Sequence, residues 1–185
     1  MVLHTRLISD AEFDRFVALP ENADRNFEFI AGEIVEVVSN SKASRIAIKI
    51  VSRVSVYVDD HKLGRVTGAD GGYVVYGEKY IPDAAFVSYA RQPAAPDVPY
   101  NPIAPDLAIE VLSPGNSETE MIRKIGNYLA AGTVVWVADP ENQTVDVYTP
   151  NRPRQTLRMG GVLDGGDVLP GFRLALDRIF SDGAA

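Results

Sequence analysis

Apolar and polar positions recur with two periods along the chain, and each period predicts a different element. Ser9-Asp10-Ala11-Glu12 is a capping box that opens a short helix to about residue 19, with Phe13, Phe16 and Val17 on one face. Phe27–Ile30 and residues 33–38 read as strands joined across Ala31-Gly32, a hairpin. A long helix is predicted from 41 to about 58. Ala43, Ala47, Ile50, Val51, Val54 and Val58 form its buried face, and Lys42, Arg45, Lys49 and Arg53 recur at helical spacing on a different face. Strands are predicted at 65–69, 72–76 and 81–88. Residues 89–105 hold five prolines and no period, which predicts a loop or flap. A strand at 106–112 follows, then a second capping box, Ser117-Glu118-Thr119-Glu120, and a helix over 121–131 stopped by Gly132. Residues 133–138 are a buried strand closed by Asp139-Pro140. Late strands are expected at 144–148, 155–159 and 169–172, with a turn of helix at 176–180. The order predicts one α/β domain over residues 1–185, a mixed β-sheet flanked by helices.

Composition narrows the chemistry. Apolar residues make up 46% and charged residues 23%, as in an ordinary globular protein. The absence of cysteine excludes disulfides, thiol catalysis and thiolate-held metals. Two histidines, His4 and His61, exclude a multi-histidine metal site within one chain. Any metal must therefore be held by oxygen, which points to Mg²⁺, Mn²⁺ or Ca²⁺. The net charge of −7 excludes a general nucleic-acid coat, which needs clustered Lys and Arg. It is unevenly spread, however. Residues 41–65 carry six Lys or Arg against two Asp, and residues 151–158 carry three Arg and no acid. No apolar run approaches the ~20 residues of a membrane span, and the first residues contain no apolar signal core. A soluble, cytoplasmic protein with no membrane partner is expected.

Three residues stand out as candidate chemistry. Pro-Asp occurs at 82–83, 96–97 and 105–106, so position must choose among the three. Asp83 falls inside the strand pattern 81–88, Asp97 in the proline-rich loop, and Asp106 at a strand start. Glu110 interrupts the apolar run Asp106-Leu107-Ala108-Ile109-Glu110-Val111-Leu112. A carboxylate there is costly to bury unless it is paired or on a metal, and a salt bridge or sheet-edge position would satisfy it equally. Lys124 flanks the buried side of its helix beside Met121, Ile125 and Tyr128; Tyr128 either positions it or packs. Two carboxylates on neighbouring strands can share a divalent cation, and a nearby lysine can stabilise transition-state charge, which is the chemistry of phosphodiester cleavage.

These residues carry a resemblance. Residues 105–114, followed by Glu120, Lys124, Tyr128, Gly132 and Trp136-Val137-Ala138-Asp139-Pro140, resemble the Uma-type family of restriction endonucleases, within the PD-(D/E)XK nuclease superfamily. Phe27-Glu28-Phe29-Ile30-Ala31-Gly32-Glu33, Pro82-Asp83 and Leu169-Pro170-Gly171-Phe172 match in order, so the resemblance covers nearly the whole chain. It implies a restriction-endonuclease-like fold and Mg²⁺- or Mn²⁺-dependent hydrolysis of DNA. Asp83 and Glu110 would be the metal carboxylates, Lys124 the catalytic lysine, and Glu28 a further acid near the metal or an outer-face residue. Lys42, Arg45, Lys49 and Arg53 would grip the nucleic acid, or else be a solvated face. A homodimer is implied, because paired sites suit two-fold DNA. Three departures are visible: the usual lysine position after the second carboxylate is Leu112, Ser44 stands where the family often has histidine, and the segment from Gly132 to Pro140 is about one residue shorter than usual. The alternative is a weak or inactive nuclease-fold module that binds nucleic acid or a partner protein. A purely structural dimerising domain is the third reading.

Overall fold

The structure is a computed structural model that describes residues 7–115 and 117–181; His4 lies outside them. Helix α1 (Asp10–Val17) is opened by the predicted box, with the Ser9 and Glu12 side chains each bonding the other's backbone N–H. A 3-10 turn (Pro20–Asn22) leads to the hairpin of β1 (Phe27–Ile30) and β2 (Glu33–Glu36). Helix α2 (Ser41–Asp60) starts at Asn40, whose side chain accepts the Ala43 N–H. Strands β3 (Gly64–Gly68), β4 (Gly72–Val75), β5 (Glu78–Tyr80) and β6 (Ala84–Ser88) follow. The proline-rich segment forms only a two-residue strand, β7 (Tyr100–Asn101). Then come β8 (Leu107–Val111), α3 (Glu118–Ala130), β9 (Val134–Asp139), β10 (Thr144–Tyr148), β11 (Gln155–Leu157), β12 (Val162–Asp164), β13 (Arg173–Ala175) and α4 (Leu176–Phe180).

The strands form a six-stranded sheet, β11-β10-β9-β8-β6-β3, a five-stranded sheet, β2-β1-β5-β4-β7, and the hairpin β12-β13. In the larger sheet β8 and β9 are parallel, bridged by α3, and the other pairs are antiparallel. Alternation along β8 places the site. Leu107, Ile109 and Val111 join the core beneath α2 and α4, with Ile46, Ile50, Val54 and Val58. Burying each such side chain contributes roughly 1.5–3 kcal/mol. Ala108 faces the opposite side, with Tyr128 of α3 and Tyr73, Val75 and Tyr80 of the smaller sheet. Glu110 shares that second side, by the two-residue period of a strand.

Several expectations move. Asp83 is not inside a strand. Pro82 has no N–H for a ladder and the Ile81 N–H is taken by a side chain, so β6 begins at Ala84. The strand β5 was hidden by its polar sequence Glu78-Lys79-Tyr80; it is made by a tight turn at Tyr76-Gly77, both with positive φ. Residues 169–172 form a turn, not a strand: Gly171 has φ +87°, and pairing with β12 starts only at Arg173. Gly68 to Gly72 is a turn, as its glycines suggest, yet it moves the chain from one sheet to the other. A Cβ on Gly72 would stand 2.5 Å from the Tyr100 ring, so glycine is needed where β4 meets β7.

Candidate active site

The first candidate, Glu110, lies one residue from the end of β8 with 4% of its surface exposed. Asp83 reaches it by register. Ala84 pairs with Ile109, so Asp83 stands one step beyond, beside Glu110, and its Oδ2 accepts the Val111 N–H at 2.7 Å. This side-chain acceptor satisfies the Val111 N–H just past the last β6–β8 pair. Lys124, on the inner face of α3, is 6% exposed. Its Nζ lies 2.8 Å from Glu110 Oε1 and 2.8 Å from Glu28 Oε1. Glu28 Oε1 also accepts the Ile81 N–H at 2.7 Å, which ties β1 to the segment carrying Asp83. Tyr128, one turn after Lys124, donates its hydroxyl to Glu110 Oε1 at 3.2 Å. All four candidates, Glu28, Asp83, Glu110 and Lys124, line one cavity of about 560 Å³. Asn40, Ser113, Ser117 and Glu120 also line it.

Electrostatics follows from burial. Three carboxylates face a single ammonium, so with all three ionised two negative charges are in excess. Burial pushes the Glu110 carboxyl up to about 7, against the pull of Lys124. Burial also raises Asp83. For Lys124, burial opposes the charged form, but Glu110 and Glu28 outweigh it and hold the amine above its ordinary value. The Tyr128 hydroxyl is raised well above its usual range, first by burial and then by Glu110, so it stays a donor.

These carboxylates suit a hard divalent ion, which prefers oxygen ligands. Asp83 and Glu110 each commit one oxygen to protein donors, leaving Asp83 Oδ1 and Glu110 Oε2 for the cavity. A divalent charge would offset the two excess charges. Among the described residues, no group of three or more His, Asp or Glu side chains stands ready as a complete metal cage. Asp83 Oδ1 and Glu110 Oε2 would suit a two-carboxylate site completed by water or substrate.

The other candidates lie apart. Lys42, Arg45, Lys49 and Arg53 run along the outside of α2, across the six-stranded sheet from Glu110. Lys42 pairs with Glu141 at 2.6 Å, and Lys49 donates to the Ser181 carbonyl at 2.6 Å. Arg53 lines a separate groove with Tyr57, Phe172 and Arg178. Only the start of α2, at Asn40, reaches the main cavity. Glu33 shares the face of Glu28 in the hairpin but is exposed at the turn. Sequence reasoning missed Tyr80, whose ring centroid lies 5.5 Å from Lys124 Nζ and whose hydroxyl donates to Glu78. Its one signal was proximity to Pro82-Asp83.

Comparison with curated proteins finds no match. Among solved structures, the chain is similar to a crystal structure of a "putative nuclease belonging to DUF820" from Anabaena variabilis ATCC 29413. The identity is 27%, with 91% of this chain and 96% of that one covered, at a TM-score of 0.79. The mixed sheet flanked by helices is thus a restriction-endonuclease-like fold. The model of the Uma2 family, described as "Putative restriction endonuclease", matches residues 13–177, and the chain belongs to that family.

Proposed function

We propose that the protein is a DNA endonuclease that hydrolyses phosphodiester bonds with Mg²⁺ or Mn²⁺ held by Asp83 and Glu110. The observation that carries this reading is the meeting of those two carboxylates with buried Lys124 in an open cavity two negative charges in excess. A divalent ion bound there supplies an acidified water and neutralises a phosphate oxygen. The remaining work falls to the chain itself. Lys124 presents a fixed positive charge to the phosphate undergoing attack. Tyr128 holds the Glu110 carboxylate in one pose, and the Val111 N–H does the same for Asp83. Asn40, which caps α2, lines the cavity, and from Lys42 to Arg53 the helix runs on for eleven residues, about 17 Å. That row grips the DNA backbone beyond the cut. The nuclease acts as a homodimer in the cytoplasm, where its substrate lies. Among the described residues no helix is long and apolar enough to cross a membrane.

Supercoiled plasmid and short duplexes incubated with Mg²⁺ or Mn²⁺ test the reading. Cleavage by the wild type, abolished by chelator and by Asp83→Asn or Glu110→Gln, is expected. Cleavage that survives both substitutions refutes the site. Salt-sensitive DNA binding with neither metal binding nor cleavage would favour the inactive binding module.

A further inference from the structure

Glu28 is the acid whose role the proposed chemistry leaves open. It is 5% exposed, and among the described residues it has two donors, both on Oε1: the Ile81 N–H at 2.7 Å and Lys124 Nζ at 2.8 Å. The other two carboxylates are arranged differently. Asp83 is beside Glu110 by strand register, and both are fixed through β8, directly or by the Val111 N–H. Glu28 comes from the other sheet, and no three-acid metal cage is present among the described residues.

Lys124 bridges Glu28 and Glu110. With a divalent ion held by Glu110, the ammonium that shares Glu110 Oε1 would be repelled from it. A buried ammonium needs a retained counter-charge, because its desolvation is otherwise uncompensated. Glu28 is the other carboxylate in contact with it. The charges then divide evenly: two carboxylates against the divalent ion, and one against the lysine.

We infer that Glu28 is a positioning residue rather than a metal ligand: it anchors the Lys124 amine at the edge of the site so that the amine faces the scissile phosphate when Glu110 is given to the metal. The Ile81 N–H makes this anchor rigid and links it to the segment that carries Asp83. The inference rests on the proposed metal-dependent cleavage, and its test separates the two.

Mn²⁺ affinity is measured by calorimetry for wild type, Glu28→Gln and Glu110→Gln, alongside plasmid cleavage. Metal-free urea unfolding is measured for Glu28→Gln, Lys124→Met and the double variant. Glu28→Gln should bind Mn²⁺ within about 3-fold of wild type, whereas Glu110→Gln loses about 10-fold or more, the scale of losing a metal-site group. Cleavage by Glu28→Gln should nevertheless fall by about 10²-fold or more, the scale of a misplaced catalytic group. In the metal-free cycle, the two substitutions should be non-additive by about 10-fold in the folding equilibrium. If Lys124→Met does not fold, Lys124→Gln closes the same cycle. Loss of Mn²⁺ affinity in Glu28→Gln equal to that in Glu110→Gln makes Glu28 a ligand and overturns the inference. Additivity in the metal-free cycle overturns it too. Failure of the nuclease reading shows separately, as wild-type protein that binds no Mn²⁺ while the cycle remains non-additive.

Discussion

Replacing Lys124 with methionine keeps most of the side chain's length and removes the ammonium that touches both Glu28 and Glu110. Both contacts are 2.8 Å, and all three side chains are no more than 7% exposed, so solvent screens them little. Removing one partner of a buried pair costs about 3–5 kcal/mol, because an uncompensated charge is left behind. Protonation offers partial relief. Burial already raises the Glu110 carboxyl to about 7, and loss of Lys124 raises it further. A carboxyl with a raised folded pKa binds more protons in the native than in the unfolded state, so stability falls as pH rises from about 4.5 through the folded pKa. The variant should therefore lose about 3–4 kcal/mol at pH 8 and about half of that at pH 5. Urea unfolding followed by circular dichroism at both pH values, with chelator present, reads the difference directly. A loss below about 1 kcal/mol at pH 8 would mean that Lys124 behaves like a solvated surface lysine. An equal or larger loss at pH 5 would refute the electrostatic reasoning even if the cost were large.

Three other outcomes follow from the same geometry. Glu110→Gln should flatten the metal-free stability profile between about pH 4.5 and 7, since the group whose burial raises its pKa is gone; an unchanged profile by thermal unfolding at stepped pH would contradict this. Tyr128→Phe removes the hydroxyl donor at Glu110 Oε1 and should cost about 1–2 kcal/mol in urea unfolding and weaken Mn²⁺ binding; unaltered stability and affinity would show the bond is idle. Ser9→Ala breaks the capping box of α1 and should lower stability by about 1 kcal/mol while leaving cleavage unchanged, because α1 lines no part of the main cavity; a changed cleavage rate would show coupling that the fold does not suggest.

Much of the candidate site was legible because its residues break a pattern. Glu110 is conspicuous in an apolar strand, and Lys124 in a helix whose buried face is otherwise apolar. The strand–helix–strand unit from β8 to β9 follows from two apolar runs, a capping serine and Gly132, whose φ of +78° ends the helix. Asp83 was assigned to the right neighbourhood but the wrong element. Strand periodicity does not register that Pro82 and a side-chain acceptor remove two backbone donors in a row. The partition into two sheets was not legible, since Gly68 to Gly72 makes the same kind of turn whether the next strand pairs locally or crosses over. The placement of α2 has the same cause. Helical spacing separates a basic from an apolar face, but it does not say which side of the sheet the apolar face will cover. The bond from Ile81 to Glu28 joins residues 53 apart, and no local signal marks it.

The proposed function requires that Asp83 and Glu110 together hold one divalent ion. Anomalous diffraction from crystals soaked in Mn²⁺ tests it most directly. One strong peak between the Asp83 and Glu110 carboxylates is expected, with the Lys124 amine still against Glu28. A peak ligated elsewhere, or none at saturating Mn²⁺, would contradict it.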